Sequence, residues 1–585
     1  MSTGARGRFL QRDEEVTMVE AAMGTWDEEV DVLVVGSGAG ALTAALRAHD
    51  LGGRTLIIEK TDRYGGASAM GSCLLWIPNN HLMPSVGIED SPEEAWDYLK
   101  ETTAGLVSDD RLQAYLDNSL AALEYLCEKT RAVFVPQPAY PDYYPVARGS
   151  KPGGRSIEPA HFDARRLGDE FLNMRDQNLQ MQVMGRLAMT ALEAQAVLTG
   201  QPGSMGIFFR LILKYALDIP FRFKSRRDRN CAMGNALIGM LRLSLMDRDV
   251  PLWLNTPARE LIVEEGRVVG ASVEKDGRPL RVRARRGVIL AAGGFEGNQA
   301  MREKHLPHPT HTDWTCANAA NTGEVIEMGQ AIGAGVDLMD DAWWGPVNRA
   351  PSDEFARITV IEKSLPGGML VNRRGERFTN DAGPYIEIVK AMYASHSEES
   401  PCVPAYLVFD ATFRKKYICG PMLQGSVQPD WMVQKLFKQQ YVKKSNTLEG
   451  LARKVGFDAA TLRATVAKVG EYARTGKDLD FGRGDNIYDC YYGDSDVKPN
   501  PCLAPIETPP FYSIEIFPGE LGTKGGLKVD ASARVLTDSE DVIPGLYAVG
   551  NCSSSVMGNS YPGAGATIGP GAAFGFAAAS DAMSD

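Results

Sequence analysis

The sequence predicts an α/β protein with a largely parallel sheet, interrupted by an inserted α+β region. Three observations carry this. Asp31-Val-Leu-Val-Val35 is a short apolar, β-branched run ending at glycines; a helical pattern follows through Leu46 and Ala48, then a second apolar run, Thr55-Leu-Ile-Ile-Glu59. A strand–helix–strand unit of about 30 residues sets two buried strands side by side in parallel. A comparable strand ending in glycines, Gly287-Val-Ile-Leu-Ala-Ala-Gly-Gly294, returns far along the chain, and the stretch from Tyr512 to Asp585 is again glycine-rich. Between them, from about 345 to 515, prolines and aromatics rise and glycine runs thin out. Residues 1–340 and 516–585 are therefore expected to form the two parts of one nucleotide-binding domain, with 341–515 a second domain that holds the substrate.

In chain order, residues 1–30 mix acidic and basic side chains without an apolar stretch, so they read as a frayed or docked extension rather than a secretory signal. Ser91 to about Glu128 reads as helical. Residues 165–230 read as a mostly helical insertion. Leu252 to Val282 alternates apolar and polar positions, with turns at Glu265-Gly266 and Asp276-Gly277, and reads as a β-meander. No repeat of fixed period is visible. No uncharged apolar run reaches about 18 residues, so no spanning helix is expected. The net charge of −12 argues against a nucleic-acid partner. Nine cysteines, with no CxxC pair, fit reduced thiols of a cytoplasmic enzyme.

The chemistry begins at Gly36-Ser37-Gly38-Ala39-Gly40-Ala41, which sits between the first strand and its helix and matches GxGxxG/A. Gly36 permits the tight turn, Gly38 lets a pyrophosphate reach the backbone, and Ala41 keeps helix and strand close. The free N–H groups and dipole of the helix N-terminus favour the phosphates. Glu59, 21 residues after Gly38, ends the second strand where a carboxylate accepts hydrogen bonds from ribose hydroxyls. Three further segments select FAD over NAD. Arg63-Tyr-Gly-Gly66-Ala-Ser68 follows Glu59 as the loop that covers the pyrophosphate and ribityl chain in flavoproteins. Ala291-Ala292-Gly293-Gly294 resembles the second nucleotide motif of the glutathione-reductase-like fold. Gly545-Leu-Tyr-Ala-Val-Gly550-Asn551 resembles its C-terminal ribityl-binding strand and loop. The expected fold is thus a glutathione-reductase-like (Rossmann-type) FAD-binding domain with an inserted α+β catalytic domain. Its cofactor-lining set is Gly36 to Ala41, Glu59, Lys60, Gly66, Ser68, Ala258, Ala292, Gly293, Gly550, Asn551, Ala566 and Ile568.

The stretch Gly522-Thr-Lys-Gly-Gly-Leu527 … Gly550-Asn … Tyr561-Pro-Gly-Ala-Gly565-Ala-Thr-Ile-Gly569 closely resembles the 3-ketosteroid Δ1-dehydrogenases. So do Glu59-Lys-Thr-Asp-Arg-Tyr-Gly-Gly66, Pro141-Asp-Tyr143-Tyr144 and Gly375-Glu-Arg-Phe-Thr-Asn-Asp-Ala-Gly-Pro-Tyr385. The likeness runs over nearly the whole chain, departing mainly around 165–230, and extends to the wider flavin family that includes soluble fumarate reductases. It implies that Tyr561 and the Gly565 N–H hold the steroid C3 oxygen. It also implies that Tyr385 removes the C2 proton while the C1 hydride passes to flavin N5, and that Tyr143 tunes Tyr385. A phenol and an amide aimed at a developing enolate oxygen act as an oxyanion hole. A tyrosine base, with an ordinary pKa of about 10, needs such tuning. In the fumarate reductases the stretch similar to Phe378-Thr-Asn-Asp381 is followed by an arginine proton donor. Tyr385 at that point suits a neutral ketone and argues against fumarate.

A ketosteroid Δ4-dehydrogenase remains the alternative enzyme, since a small shift of the steroid changes which C–H faces the flavin. A non-catalytic lipid carrier on the same fold is disfavoured by the intact nucleotide motif. His305, His308 and His311 are separated by prolines that prevent a helical ligand face, so no metal is expected. No second redox cofactor motif is visible, so a diffusible quinone or carrier protein is the expected electron acceptor. Met205 to Leu217 is strongly apolar and Phe221 to Arg229 basic. Residues 205–229 read either as a cap packed on the core or as an interfacial helix making peripheral membrane contact, which suits a long-chain sterone.

Overall fold

The computed structural model describes residues 25–584 except 184, 199–203 and 352; the N-terminal extension, up to residue 24, lies outside the described residues. β1 (Glu28–Val35), α1 (Ala39–Asp50) and β2 (Thr55–Ile58) form the expected unit. The two strands pair in parallel, Val32 opposite Thr55 through Val35 opposite Ile58. Val32, Leu33 and Val34 are fully buried, as a strand covered on both faces requires.

The other neighbour of β1 is one 13-residue strand, Arg278–Leu290. The sequence suggests two elements here, a meander ending near 282 and a separate strand from 287. The structure joins them. The outer half pairs antiparallel with Arg267–Lys275, whose own partner is Ala258–Glu264. The inner half, Val288–Leu290, runs parallel both to β1 and to Val542–Ala548. Its burial passes from alternating to continuous along its length, because only the inner half is covered on both faces. Glu265-Gly266 and Asp276-Gly277 all have positive φ, the geometry of two-residue type I′ hairpin turns. Leu252–Trp253 does not join the meander; it pairs in parallel with the outer edge of β2.

Helices Pro92–Thr103 and Asp109–Lys129 fill the stretch expected to be helical, the first capped by Ser91, whose hydroxyl accepts from the Glu94 N–H. The 165–230 region is less helical than its composition suggests. Helices Ala191–Leu198, Ser204–Leu217 and Ile219–Arg222 are preceded by 3-10 turns and two-residue strands. A second, antiparallel sheet has the order Arg357–Ile358, Ala342–Asn348, Phe511–Thr523, Ala405–Phe409, Gly368–Val371, with Lys443–Ser445 also on Phe511–Thr523. The last helix, Ile568–Ala582, returns to pack on α1. Among the described residues no helix is long and apolar enough to cross a membrane.

Gly36 holds the sheet and the nucleotide turn together. Its φ is +110°, and a Cβ there would lie 2.4 Å from the Ala291 carbonyl oxygen. Gly36→Ala is expected to destabilise the fold by about 3 kcal/mol or more, from backbone strain plus displacement of the Ala291 strand end. The urea midpoint and the flavin retained after purification measure this; an unchanged midpoint with full flavin contradicts it.

Candidate active site

One cavity of about 1310 Å³ runs between the two sheets. This exceeds the roughly 300–1,000 Å³ of a site for one small ligand and leaves room for two side by side. At one end its wall is made by Gly36 to Ala41, Glu59, Lys60, Gly66, Ser68, Ala258, Ala292, Gly293, Gly550, Asn551 and Ile568. At the other it is made by Tyr143, Tyr385, Tyr561 and Gly565, with apolar side chains such as Met181, Met189, Phe208, Val360 and Leu365. Every residue of the expected cofactor-lining and catalytic sets lines this cavity except Ala566, which is buried behind the loop with its N–H on the Gly563 carbonyl.

The nucleotide end fits FAD. The Ser37 hydroxyl donates to Glu59 Oε2 at 2.5 Å and accepts from the Gly65 N–H at 3.0 Å. The Thr61 N–H and hydroxyl donate to Glu59 Oε1 at 3.0 and 2.9 Å. The carboxylate is thereby fixed at the end of β2, on the cavity wall, where it could accept from ribose hydroxyls. Ser68 Oγ accepts from the Ala39 N–H at 3.1 Å, tying the covering loop to the start of α1. Lys60 Nζ turns instead to Thr322 and Glu324, at 2.9 and 2.6 Å.

Three distant segments supply the tyrosines. Tyr143 lies in the loop after Pro136, Tyr385 is the first residue of helix Tyr385–Ala394, and Tyr561 opens the glycine-rich loop before the last helix. The loops grip each other. The Tyr143 N–H and the Tyr98 hydroxyl both donate to the Pro562 carbonyl, at 2.9 and 2.6 Å, and the Ser156 hydroxyl donates to the Ala564 carbonyl at 2.8 Å. Gly565 closes the loop against Leu74, whose backbone carbon and oxygen would each lie 2.6 Å from a Cβ.

The three phenol rings cluster around one point, Tyr385 edge-on to both others and Tyr143 tilted at 35° to Tyr561. Ring centres are 5.3 Å apart for Tyr143 and Tyr385, 5.2 Å for Tyr385 and Tyr561, and 5.2 Å for Tyr143 and Tyr561. The Tyr143 and Tyr385 hydroxyls are 2.9 Å apart. Tyr140 and Tyr492, which sequence reasoning missed, continue this hydroxyl chain at 3.2 and 2.5 Å. Tyr140 stands three residues before Tyr143 in Ala-Tyr-Pro-Asp-Tyr-Tyr-Pro, and Tyr492 closes Tyr488-Asp-Cys-Tyr491-Tyr492; in both, local aromatic density was a usable signal. Burial in the apolar cavity holds the phenols of Tyr143 and Tyr385 well above their ordinary value and pushes Tyr561 up to about 12. Tyr143's hydrogen bond acts the other way on Tyr385, favouring its anion.

His305, His308 and His311 are not brought together. His305 ends a helix, His308 contacts the Glu303 carbonyl, and His311 Nδ1 accepts from the Asp313 N–H.

The FAD binding domain family matches residues 31–568. The 3-oxosteroid 1-dehydrogenase of Mycobacterium tuberculosis is 40% identical over 566 residues, 94% of this chain and 98% of its own. The chain belongs to this flavoprotein family, and its cofactor is FAD. The 3-ketosteroid Δ1-dehydrogenase of Sterolibacterium denitrificans, solved with 1,4-androstadiene-3,17-dione, is 48% identical and superposes with a TM-score of 0.92, over 95% of this chain and 99% of that one. A 3-ketosteroid Δ4-(5α)-dehydrogenase from Rhodococcus jostii shares the fold at 22% identity and a TM-score of 0.64, over 96% and 98%. The family's members are oxidoreductases, and the glutathione-reductase-like architecture expected from the sequence is theirs.

Proposed function

We propose that the chain dehydrogenates 3-ketosteroids at C1–C2, in steroid or sterol breakdown. The observation that carries this is the Tyr143–Tyr385 hydroxyl pair beside Tyr561 and Gly565, on the wall of the cavity that also holds the FAD site. The bound flavin supplies the acceptor for the C1 hydride. The protein's own residues do the rest. The Tyr561 hydroxyl and Gly565 N–H hold the C3 oxygen and stabilise negative charge developing there. Tyr385 takes the C2 proton, with Tyr143 donating to its oxygen as charge builds. The apolar wall excludes water, which strengthens these hydrogen bonds and makes a free phenolate scarce. The Δ4 alternative uses the same parts with the steroid shifted. The division into 1–340 with 516–585 against 341–515 has support from the first sheet, whose strands all come from 1–340 and 516–585, but Phe511–Thr523, the central strand of the second sheet, runs across the boundary at 515. Electrons pass on to a quinone or a carrier protein.

Residues 205–229 are proposed to contact a membrane and admit long-chain sterones. Phe209, Leu213 and Leu217, one turn apart on helix Ser204–Leu217, are 63%, 58% and 67% exposed, and Phe223 is 88% exposed, while Phe208 lines the cavity. The support is this apolar face rather than the basic stretch. Arg222 and Arg229 are matched by Asp218, and Arg227 by Asp176.

Anaerobic mixing with androst-4-ene-3,17-dione is expected to bleach the flavin and yield the 1,4-dien-3-one. Reduction only by a 5α-saturated 3-ketosteroid, giving a 4-ene, moves the reading to the Δ4 enzyme, and no bleaching by either removes the steroid assignment. The Phe209→Glu, Leu213→Glu double variant is expected to co-sediment with phospholipid vesicles about tenfold less than the native chain while reducing its flavin normally; equal sedimentation rules out membrane contact through this face.

A further inference from the structure

Among the described residues two lysines are fully buried, Lys363 and Lys524. Neither lines the cavity, yet each ends just upstream of a tyrosine that does. Lys363 Nζ donates to the carbonyls of Asp381, Ala382 and Gly383, at 3.3, 3.2 and 2.7 Å, and lies 3.2 Å from the Ser364 hydroxyl. Pro384 and Tyr385 follow directly. Lys524 Nζ donates to the carbonyls of Gly558 and Ser560, at 3.1 and 2.7 Å, and pairs with Asp341 at 3.2 Å. Tyr561 follows directly. The Lys524 ammonium also stands 4.7 Å from the centre of the Trp343 ring, which packs edge-on to Tyr561 at 4.9 Å.

Stability does not explain this pattern. A buried ammonium loses its hydration, a cost its partners must offset, so its presence is weak evidence for a stabilising role. Lys363 is the sharper case, because its partners are neutral oxygens. The nearby Asp381 carboxylate is turned away, accepting from Arg377, Arg483 and the Leu370 N–H. Three successive carbonyls pointing at one spot repel one another unless an N–H donor sits among them, which the amine supplies whether charged or neutral. The turn 381–383 therefore keeps its shape only with a donor at its centre, and that shape sets where helix Tyr385–Ala394 begins.

We infer that Lys363 and Lys524 are positioning residues, each fixing the backbone turn that presents one tyrosine of the site, Lys363 for Tyr385 and Lys524 for Tyr561. This rests on the proposed roles of those tyrosines. Burial lowers both amines, Lys363 to about 7 and Lys524 to about 8, while Asp489 and Asp381 favour the charge on the first and Asp341 and Glu387 on the second. Arg483 near Lys363, and Lys390 near Lys524, oppose it.

Because the two lysines serve different tyrosines, removing them is expected to damage different steps. K363M and K524M, purified with FAD, are to be compared with the native protein by anaerobic flavin reduction, by binding of the dienone product, and with substrate deuterated at C1 or C2. K363M is expected to slow reduction about 100-fold, since a misplacement near 1 Å costs that much. It should raise the isotope effect at C2 and leave dienone affinity within about twofold. K524M is expected to weaken dienone affinity about tenfold or more and to abolish the shift of the bound enone's ultraviolet band, through loss of aim in the group holding the ketone oxygen. K363Q, which retains an N–H donor, should recover part of the lost rate. Native values in both variants overturn the inference. So do equal losses of rate and affinity in both, or failure of the Lys363 variants to accumulate with bound flavin, since either marks a merely structural role. Tyr561→Phe separates the inference from the reading beneath it. If that variant leaves enone affinity and spectrum untouched, the tyrosine assignment is at fault. If it shows its effect and the lysine variants show none, the lysine assignment is.

Discussion

Burying several phenols around one apolar cavity is the constraint on which the rest of the site depends. A phenol out of water needs a hydrogen-bond partner, and here the partners are largely other phenols. Tyr385 meets Tyr143, Tyr143 meets Tyr140, and Tyr140 meets Tyr492. The same burial that raises these groups above their ordinary range makes each hydroxyl a strong, fixed donor toward a ketone and makes free phenolate costly. Chemistry that needs a base from this cluster therefore depends on hydrogen bonds that compensate the charge as it forms, and the 2.9 Å contact between Tyr143 and Tyr385 is the shortest route to one.

That arrangement is assembled from segments hundreds of residues apart. The loop carrying Tyr143 and the loop carrying Tyr561 are bound through Pro562, with Ala564 held by Ser156 of strand Ser156–Pro159, while Tyr385 enters from the second sheet's side as the first residue of a helix. The nucleotide end is local by contrast. β1, the glycine turn, α1, β2 and Glu59 lie within about 30 residues, the span of one βαβ unit. One half of the cavity is thus a short-range construction and the other a long-range one.

This difference explains what was legible beforehand. The nucleotide turn, Glu59 and both type I′ hairpins follow from local spacing and turn chemistry, and each stands where expected. Tyr143 and Tyr385 were reachable mainly through resemblance, because nothing in the residues around Tyr385 announces a partner at position 143, whereas Tyr561 also precedes Pro562-Gly-Ala-Gly565, a backbone shaped for close approach. The Arg278–Leu290 strand was split in two on paper because its change from half-covered to fully covered depends on β1 and Val542–Ala548, neither of which is near it in sequence. Lys363 left no signal, and Lys524 stood only as one residue of the Gly522–Leu527 stretch, with no role indicated. They act on backbone carbonyls, which carry no residue identity, and only the folded turns bring those carbonyls to them.

The most direct test of the central claim is the rate of anaerobic flavin reduction by androst-4-ene-3,17-dione in Tyr385→Phe, beside the native protein and across pH. In the native protein the rate should climb from about pH 6 to about pH 9, because raising pH increases the small anionic fraction of a phenol held above its ordinary value. The Phe variant should keep its yellow flavin and its affinity for the ketone while reducing at least about 1,000-fold more slowly, with no such climb. Bleaching at the native rate in Tyr385→Phe would contradict the account and place the proton acceptor elsewhere in the cavity.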